Sequence, residues 1–112
     1  MNFEITFLDS GRRAKDGKLW DVIDYRFRVS NGRLNQVVSV GITGAFHDPA
    51  GPLGLKTLSR EELREAAAAW LRSSLEKGKC EPFSRAESDG LIDVPSSVME
   101  YWMEHHAIPH WI

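Results

Sequence analysis

Three histidines near the end of the chain have the types and spacing that most suggest chemistry. His105, His106 and His110 follow closely after Glu100 and Glu104. Imidazole and carboxylate groups are common ligands of zinc and similar ions. The segment has no HExxH motif and no cysteine pair. We therefore favour histidines at a helix end, where positive charge suits the helix dipole, and keep a metal site at His105, His106 and His110 as a hypothesis.

A second candidate is the pair His47 and Asp48, in a segment over residues 44–57 that is rich in glycine and proline. A histidine beside a carboxylate can act as a general base, and long loops often carry functional residues. Side chains adjacent in sequence often diverge, and no nucleophile can be assigned to this pair, so a simple turn before Pro49 is the favoured alternative. Together with the three C-terminal histidines, the pair defines the hypothesis of a small enzyme or ligand-binding protein.

A third candidate is a group of basic and aromatic residues on one strand. Trp20, Arg26 and Arg28 are expected to share the polar face of the sheet, with Trp20 opposite Thr43. Arginines beside an aromatic ring on an open sheet can bind nucleic acid. The net charge of −2 and the lack of an RNP-type motif argue against a nucleic-acid partner. An ordinary solvated face with mixed charges is the favoured alternative.

The last candidate is an apolar C-terminal segment that contains Tyr101, Trp102, Met103 and Trp111. Aromatic and methionine side chains are enriched at protein interfaces. A small domain also needs its large apolar residues for its own core, so two interpretations are open. Of the functional interpretations, an interface with a second copy or another protein is the best.

Alternation of apolar and polar residues predicts the strands that position these groups. It indicates strands over residues 2–8 and 19–29, separated by a polar loop over residues 9–18, and a short fourth strand over residues 91–94. The third strand follows the hairpin turn described next.

The dipeptide Asn31-Gly32 predicts a two-residue type I′ turn, because both central positions of that turn require positive φ. This turn would pair Tyr25 with Val38 and would place the apolar faces of both strands, including Phe27, on the same side of the sheet.

Two helices are expected after the sheet. Ser59 and the glutamate three residues later form a capping box, which starts a helix over residues 60–77 with an apolar stripe anchored by Trp70. A second capping box at Ser97 indicates a shorter helix that ends near His106.

Composition sets the class of the protein. The chain has 112 residues, of which 42% are hydrophobic and 27% charged, so it should fold as a single domain over residues 1–112. The fold class is α+β, with an antiparallel sheet of three to four strands (β-β-β-α-(β)-α) and two helices packed mainly on one face. Cys80 is the only cysteine, and the first residues do not resemble a signal peptide, so a cytoplasmic location is expected.

The helix opening Leu-Ser-Arg-Glu-Glu-Leu-Arg-Glu-Ala, after three antiparallel strands and a loop within residues 19–78, resembles HicB-like antitoxin domains in its order of elements. The resemblance implies a degenerate RNase H-like fold and a small toxin protein as partner. The loop that contains Pro49 and Pro52 is longer than the short connection of that family.

We predict a non-catalytic protein-interaction module that self-associates through its aromatic C-terminal helix and tail. The expected contacts are Tyr101, Trp102, Met103 and Trp111. The expected partner is a second copy or another protein, with no membrane, no nucleic acid and no cofactor. The alternatives are a small enzyme or a metal- or ligand-binding protein, and a nucleic-acid-binding or HicB-like module.

Overall fold

A computed structural model describes residues 3–32, 35–47, 58–77 and 90–111. The elements are β1 (Glu4–Lys15), β2 (Lys18–Ser30), β3 (Asn35–Thr43), a 3-10 turn (Gly44–Phe46), α1 (Arg60–Glu76), β4 (Leu91–Asp93) and α2 (Ser96–His105). The sheet has the order β1-β2-β3-β4. β1 and β3 lie antiparallel to β2, while β4 lies parallel to β3. The α+β class is confirmed, and the sheet is mixed because α1 lies between the two parallel strands in the chain.

The first strand is longer than its apolar pattern indicated, and the predicted loop over residues 9–18 is wrong. β1 continues to Lys15, and the hairpin turns at Asp16 and Gly17, whose φ angles are +56° and +73°. The register of β1 against β2 shifts twice along its length. Polar residues can extend this strand because it lies at the edge of the sheet, where backbone pairing with β2 needs no apolar partner.

The predicted two-residue turn at Asn31 and Gly32 is also wrong. Ser30 pairs with Asn35, so Tyr25 lies opposite Val40 instead of Val38. Only Gly32 of the two turn residues has a positive φ, at +87°. The register is therefore displaced by two residues, which returns every side chain to the face it was expected to occupy because side chains alternate with a period of two.

The buried face of β2 and β3 is the one that the sequence predicts. Tyr25, Phe27 and Val38 are fully buried there and belong to a single core with residues of both helices. The opposite face of these strands carries Arg26 and Arg28, which are exposed. Both helices thus contribute to the core on one side of the sheet, as expected.

Helix α1 begins at the predicted capping box. The Ser59 hydroxyl accepts a hydrogen bond from the Glu62 backbone N–H, and the Glu62 carboxylate accepts one from the Ser59 N–H, both at 3.1 Å. The residues that anchor the helix in the core are Leu63 and Leu71, which are fully buried. Trp70 is only half-buried, so the prediction that it anchors α1 is wrong.

Helix α2 begins one residue after Pro95, without the capping box predicted at Ser97. It ends at His105, and His106 takes a left-handed conformation with φ of +50°. Pro109 in the following tail is buried, which holds the end of the chain against the domain. No helix in the described ranges has the length and apolar content that a membrane span requires.

Candidate functional site

The outer face of the sheet, opposite the helices, carries a cluster of three charges, of which Arg13 and Asp24 are buried and Asp93 is exposed. Arg13 Nη2 lies 2.7 Å from Asp24 Oδ1 and 2.7 Å from Asp93 Oδ1. The Arg13 side chain therefore connects strands β1, β2 and β4, although the residue is only 8% exposed. Burial opposes its charge, but hydrogen bonds and attraction to the two carboxylates outweigh burial and raise the pKa of Arg13 above its ordinary value.

Gly41 on β3 leaves the space through which the Arg13 guanidinium reaches Asp93. Gly41 pairs with Asp24 on one side and with Asp93 on the other. A Cβ atom at Gly41 would lie 2.5 Å from Arg13 Nη2, so any larger residue would displace the arginine. A glycine inside a strand often marks such a close approach, and this was the one sequence signal for the cluster.

The residues proposed to bind nucleic acid lie on β2, but their polar groups already form hydrogen bonds within the protein. Arg26 donates to the Asp9 carboxylate, a contact that raises the pKa of Arg26 above its ordinary value. Arg28 donates to Asn35 Oδ1 at 2.8 Å. A phosphate would have to compete with these partners, which favours the interpretation of an ordinary solvated face.

Trp20 is 44% exposed, and its indole N–H donates to the Lys15 carbonyl at 3.1 Å across the β1–β2 hairpin. Thr43 pairs with Val22, so the expected position of Trp20 opposite Thr43 is wrong. The displaced register described above accounts for the difference.

His47 follows the 3-10 turn after β3 and is held by two hydrogen bonds. Its Nδ1 lies 3.1 Å from the Thr43 carbonyl oxygen, and its Nε2 lies 3.1 Å from the Tyr25 hydroxyl. A consistent assignment has Nδ1–H donating to the carbonyl and the Tyr25 O–H donating to Nε2. Both ring nitrogens are then occupied, so His47 orients a buried tyrosine instead of offering a free base. Asp48, its proposed partner, lies outside the described residues.

Burial is the largest effect and lowers the pKa of His47, although the hydrogen bond to the Thr43 carbonyl partly opposes it, and the nearby charge of Arg60 lowers the pKa further. Burial likewise raises the pKa of the Tyr25 hydroxyl. Both groups are therefore neutral near pH 7, which suits a hydrogen-bonded pair at the edge of the core.

A small cleft of about 260 Å³ lies beside this pair, between α1 and the first two strands. Arg60 Nη1 donates to the Ser10 hydroxyl at 3.3 Å, and the Arg64 guanidinium lies 5.0 Å from the centre of the Phe7 ring. Sequence analysis missed this cleft because its residues come from separate parts of the chain. Its lining comprises Phe7, Ser10, Tyr25, Arg60, Glu61 and Arg64.

The three C-terminal histidines are exposed. His105 Nε2 lies 3.6 Å from Glu104 Oε2, while His106 packs near the ring of Trp102. In the part of the chain that the structure describes, which includes all three, no group of three His, Cys, Asp or Glu side chains could hold a metal ion. This arrangement gives no support to a metal site at His105, His106 and His110, which stays a hypothesis.

His47 and the C-terminal histidines also have different neighbours. His47 contacts Tyr25 and Thr43, whereas His105 and His106 contact residues of α2. The structure thus gives no support to a combined catalytic site.

The aromatic residues proposed as an interface divide into buried and exposed members. Trp102 is 8% exposed and belongs to the core, so its expected role as a surface contact is wrong. Tyr101 and Met103 are half-buried, and Trp111 in the tail is 53% exposed. The helical spacing could not reveal this division, because apolar residues of α2 itself occur on most sides of the helix.

The half-buried His47 is expected to make stability depend on pH. Its pKa in the folded chain lies below the ordinary value of 6.5, so the unfolded chain binds a proton there more readily. The stabilisation is complete above pH 6.5 and is lost as the pH falls from 6.5 toward the folded pKa. Urea unfolding across this range should show a steeper loss for the wild type than for His47→Gln. A His110→Gln variant, which removes an exposed imidazole, is the control, and parallel curves for the wild type and His47→Gln would contradict the assignment.

Comparison of the chain with protein families, with curated proteins and with solved structures found no match in any of the three. The resemblance to HicB-like domains therefore stays a prediction from the order of elements.

Proposed function

We propose that this protein is a non-catalytic interaction module that associates with a second copy of itself through its C-terminal region. The observation that carries the proposal is the exposure of Trp111, a large aromatic side chain that is 53% accessible to solvent. Tryptophan is the residue type most enriched among the strongest contacts of protein interfaces. The half-buried Tyr101 and Met103 on α2 add apolar area to the same C-terminal region.

The hydrogen-bonding groups of this region favour a second copy as the partner. Exposed carboxylates at Glu100 and Glu104 occur within a few residues of the exposed imidazoles of His105, His106 and His110. In a two-fold dimer the same patch faces itself, so a patch that carries both carboxylate acceptors and imidazole N–H donors can pair with its own copy.

Two further observations support a function without catalysis. Both ring nitrogens of His47 are engaged in hydrogen bonds, and the C-terminal histidines do not converge on a common point. The proposal places the association in the cytoplasm, a location supported by the presence of a single cysteine, Cys80.

Sedimentation of the purified chain over a wide concentration range tests the proposal. The wild type should show a monomer–dimer equilibrium, and Trp111→Ser should raise the dissociation constant by at least about tenfold, because a buried tryptophan anchor commonly contributes more than 1 kcal/mol. Trp20→Ser is the matched control, since Trp20 is similarly exposed but lies on β2. A wild type that is monomeric at every concentration, or dissociation by Trp20→Ser alone, would show that the proposal is wrong.

A further inference from the structure

The two arginines of the cleft beside Tyr25 both have neutral partners. Arg60 donates to the Ser10 hydroxyl, and Arg64 lies over the Phe7 ring. On the sheet, Arg12 and Arg28 also donate to neutral oxygens, whereas Arg13 and Arg26 each hold a carboxylate. Arg60 and Arg64 line the same cleft. Among the described residues, neither arginine of the cleft makes an ion pair. Two guanidinium groups at the wall of one cleft therefore have charge available for an anion.

Arg60 lies at the start of α1, where exposed backbone N–H groups carry partial positive charge. Glu61 and Glu62 place negative charge in the same turn, and the Ser59 hydroxyl accepts from the Glu62 N–H. Arg64 lies one turn after Arg60, on the same side of the helix. The attraction of the cleft for an anion therefore rests on the two guanidinium groups.

The remaining lining residues limit the kind of anion. Phe7 is half-buried and contributes aromatic surface, whereas Tyr25 is only 1% exposed, and the volume of about 260 Å³ suits only a small molecule. Glu61 also lines the cleft, so its charge opposes a ligand with two or more negative charges. A planar carboxylate matches the fork of a guanidinium, which can donate two parallel hydrogen bonds.

The geometry points to a binding site for a small monoanionic carboxylate with an aromatic or aliphatic body. Arg60 and Arg64 hold the carboxylate, and Phe7 contacts the apolar body. This site uses none of the residues proposed for self-association.

Titration of the full chain with benzoate, followed by NMR, tests the site. Benzoate should cause saturable shifts in the signals of Ser10 and Tyr25, and Arg60→Gln or Arg64→Gln should weaken binding by at least about tenfold, because a charge-assisted hydrogen bond is lost. Arg72→Gln is the matched control, because Arg72 lies on the same helix but donates to the Phe3 carbonyl. The melting temperature of each variant shows whether it is folded.

Three comparisons decide the outcome. Benzyl alcohol has a similar body without the charge and should not bind. Inorganic phosphate lacks the apolar body and should bind more weakly than benzoate. The proposal is overturned if benzoate causes no saturable shifts, if benzyl alcohol or phosphate binds as tightly, or if Arg72→Gln weakens binding as much as Arg60→Gln. Each of these results can be read whether or not the chain forms dimers.

Discussion

Replacing Arg13 by methionine is expected to lower the free energy of unfolding by about 3 kcal/mol or more. Arg13 is the cation that both Asp24 and Asp93 contact, and the Asp24 side chain is largely buried. Methionine keeps much of the side-chain volume, so the main effect is an uncompensated carboxylate inside the sheet. Urea unfolding of the wild type and the variant measures the difference.

Two further variants separate this effect from ordinary surface changes. Arg12→Met alters the neighbouring arginine, which is exposed and donates to the Trp20 carbonyl, and should cost less than about 1 kcal/mol. Adding Asp24→Asn to Arg13→Met should restore part of the lost stability, because it removes the buried charge. Equal losses for Arg12→Met and Arg13→Met would contradict the role assigned to the cluster.

Replacing Trp102 by alanine is expected to lower the free energy of unfolding by about 3 to 5 kcal/mol, the usual range for a large buried aromatic residue. Trp102 packs in the core with residues of the sheet and of α1. Its loss should therefore unfold or loosen the domain, and a charged residue at this position would not leave the fold intact. Thermal and urea unfolding measure the loss.

The matched variant is Trp111→Ala, which truncates the same type of side chain in an exposed position. It should change the stability of the isolated chain by less than about 0.5 kcal/mol. Trp102→Phe should cost less than Trp102→Ala, because it keeps most of the ring and because the buried indole N–H has no hydrogen-bond partner among the described residues. If Trp111→Ala proved the more destabilising of the two alanine variants, the assignment of core and surface would be wrong.

The two proposals use different surfaces of the molecule. Self-association depends on Trp111 in the tail, whereas carboxylate binding depends on Arg60 and Arg64 at the start of α1. The variants that test one proposal therefore leave the residues of the other unchanged.

Local sequence determined the parts of the fold that depend on neighbouring residues. The capping box at Ser59 predicted the start of α1, because both of its hydrogen bonds join residues three positions apart. Alternation along β2 and β3 predicted that Tyr25, Phe27 and Val38 are buried. The buried face was predicted correctly although the turn was not, because a displacement of two residues keeps each side chain on its face.

Only the tertiary structure decided which polar groups meet and which aromatic residues are covered. Arg13 and Asp93 are 80 residues apart in the chain and come together because β4 pairs with β3 beside Gly41. Trp102 and Trp111 have the same side chain, but one packs in the core and the other faces solvent. Such contacts depend on how strands and helices pack, and the spacing of residues along one element carries no information about the partner that another element brings to it.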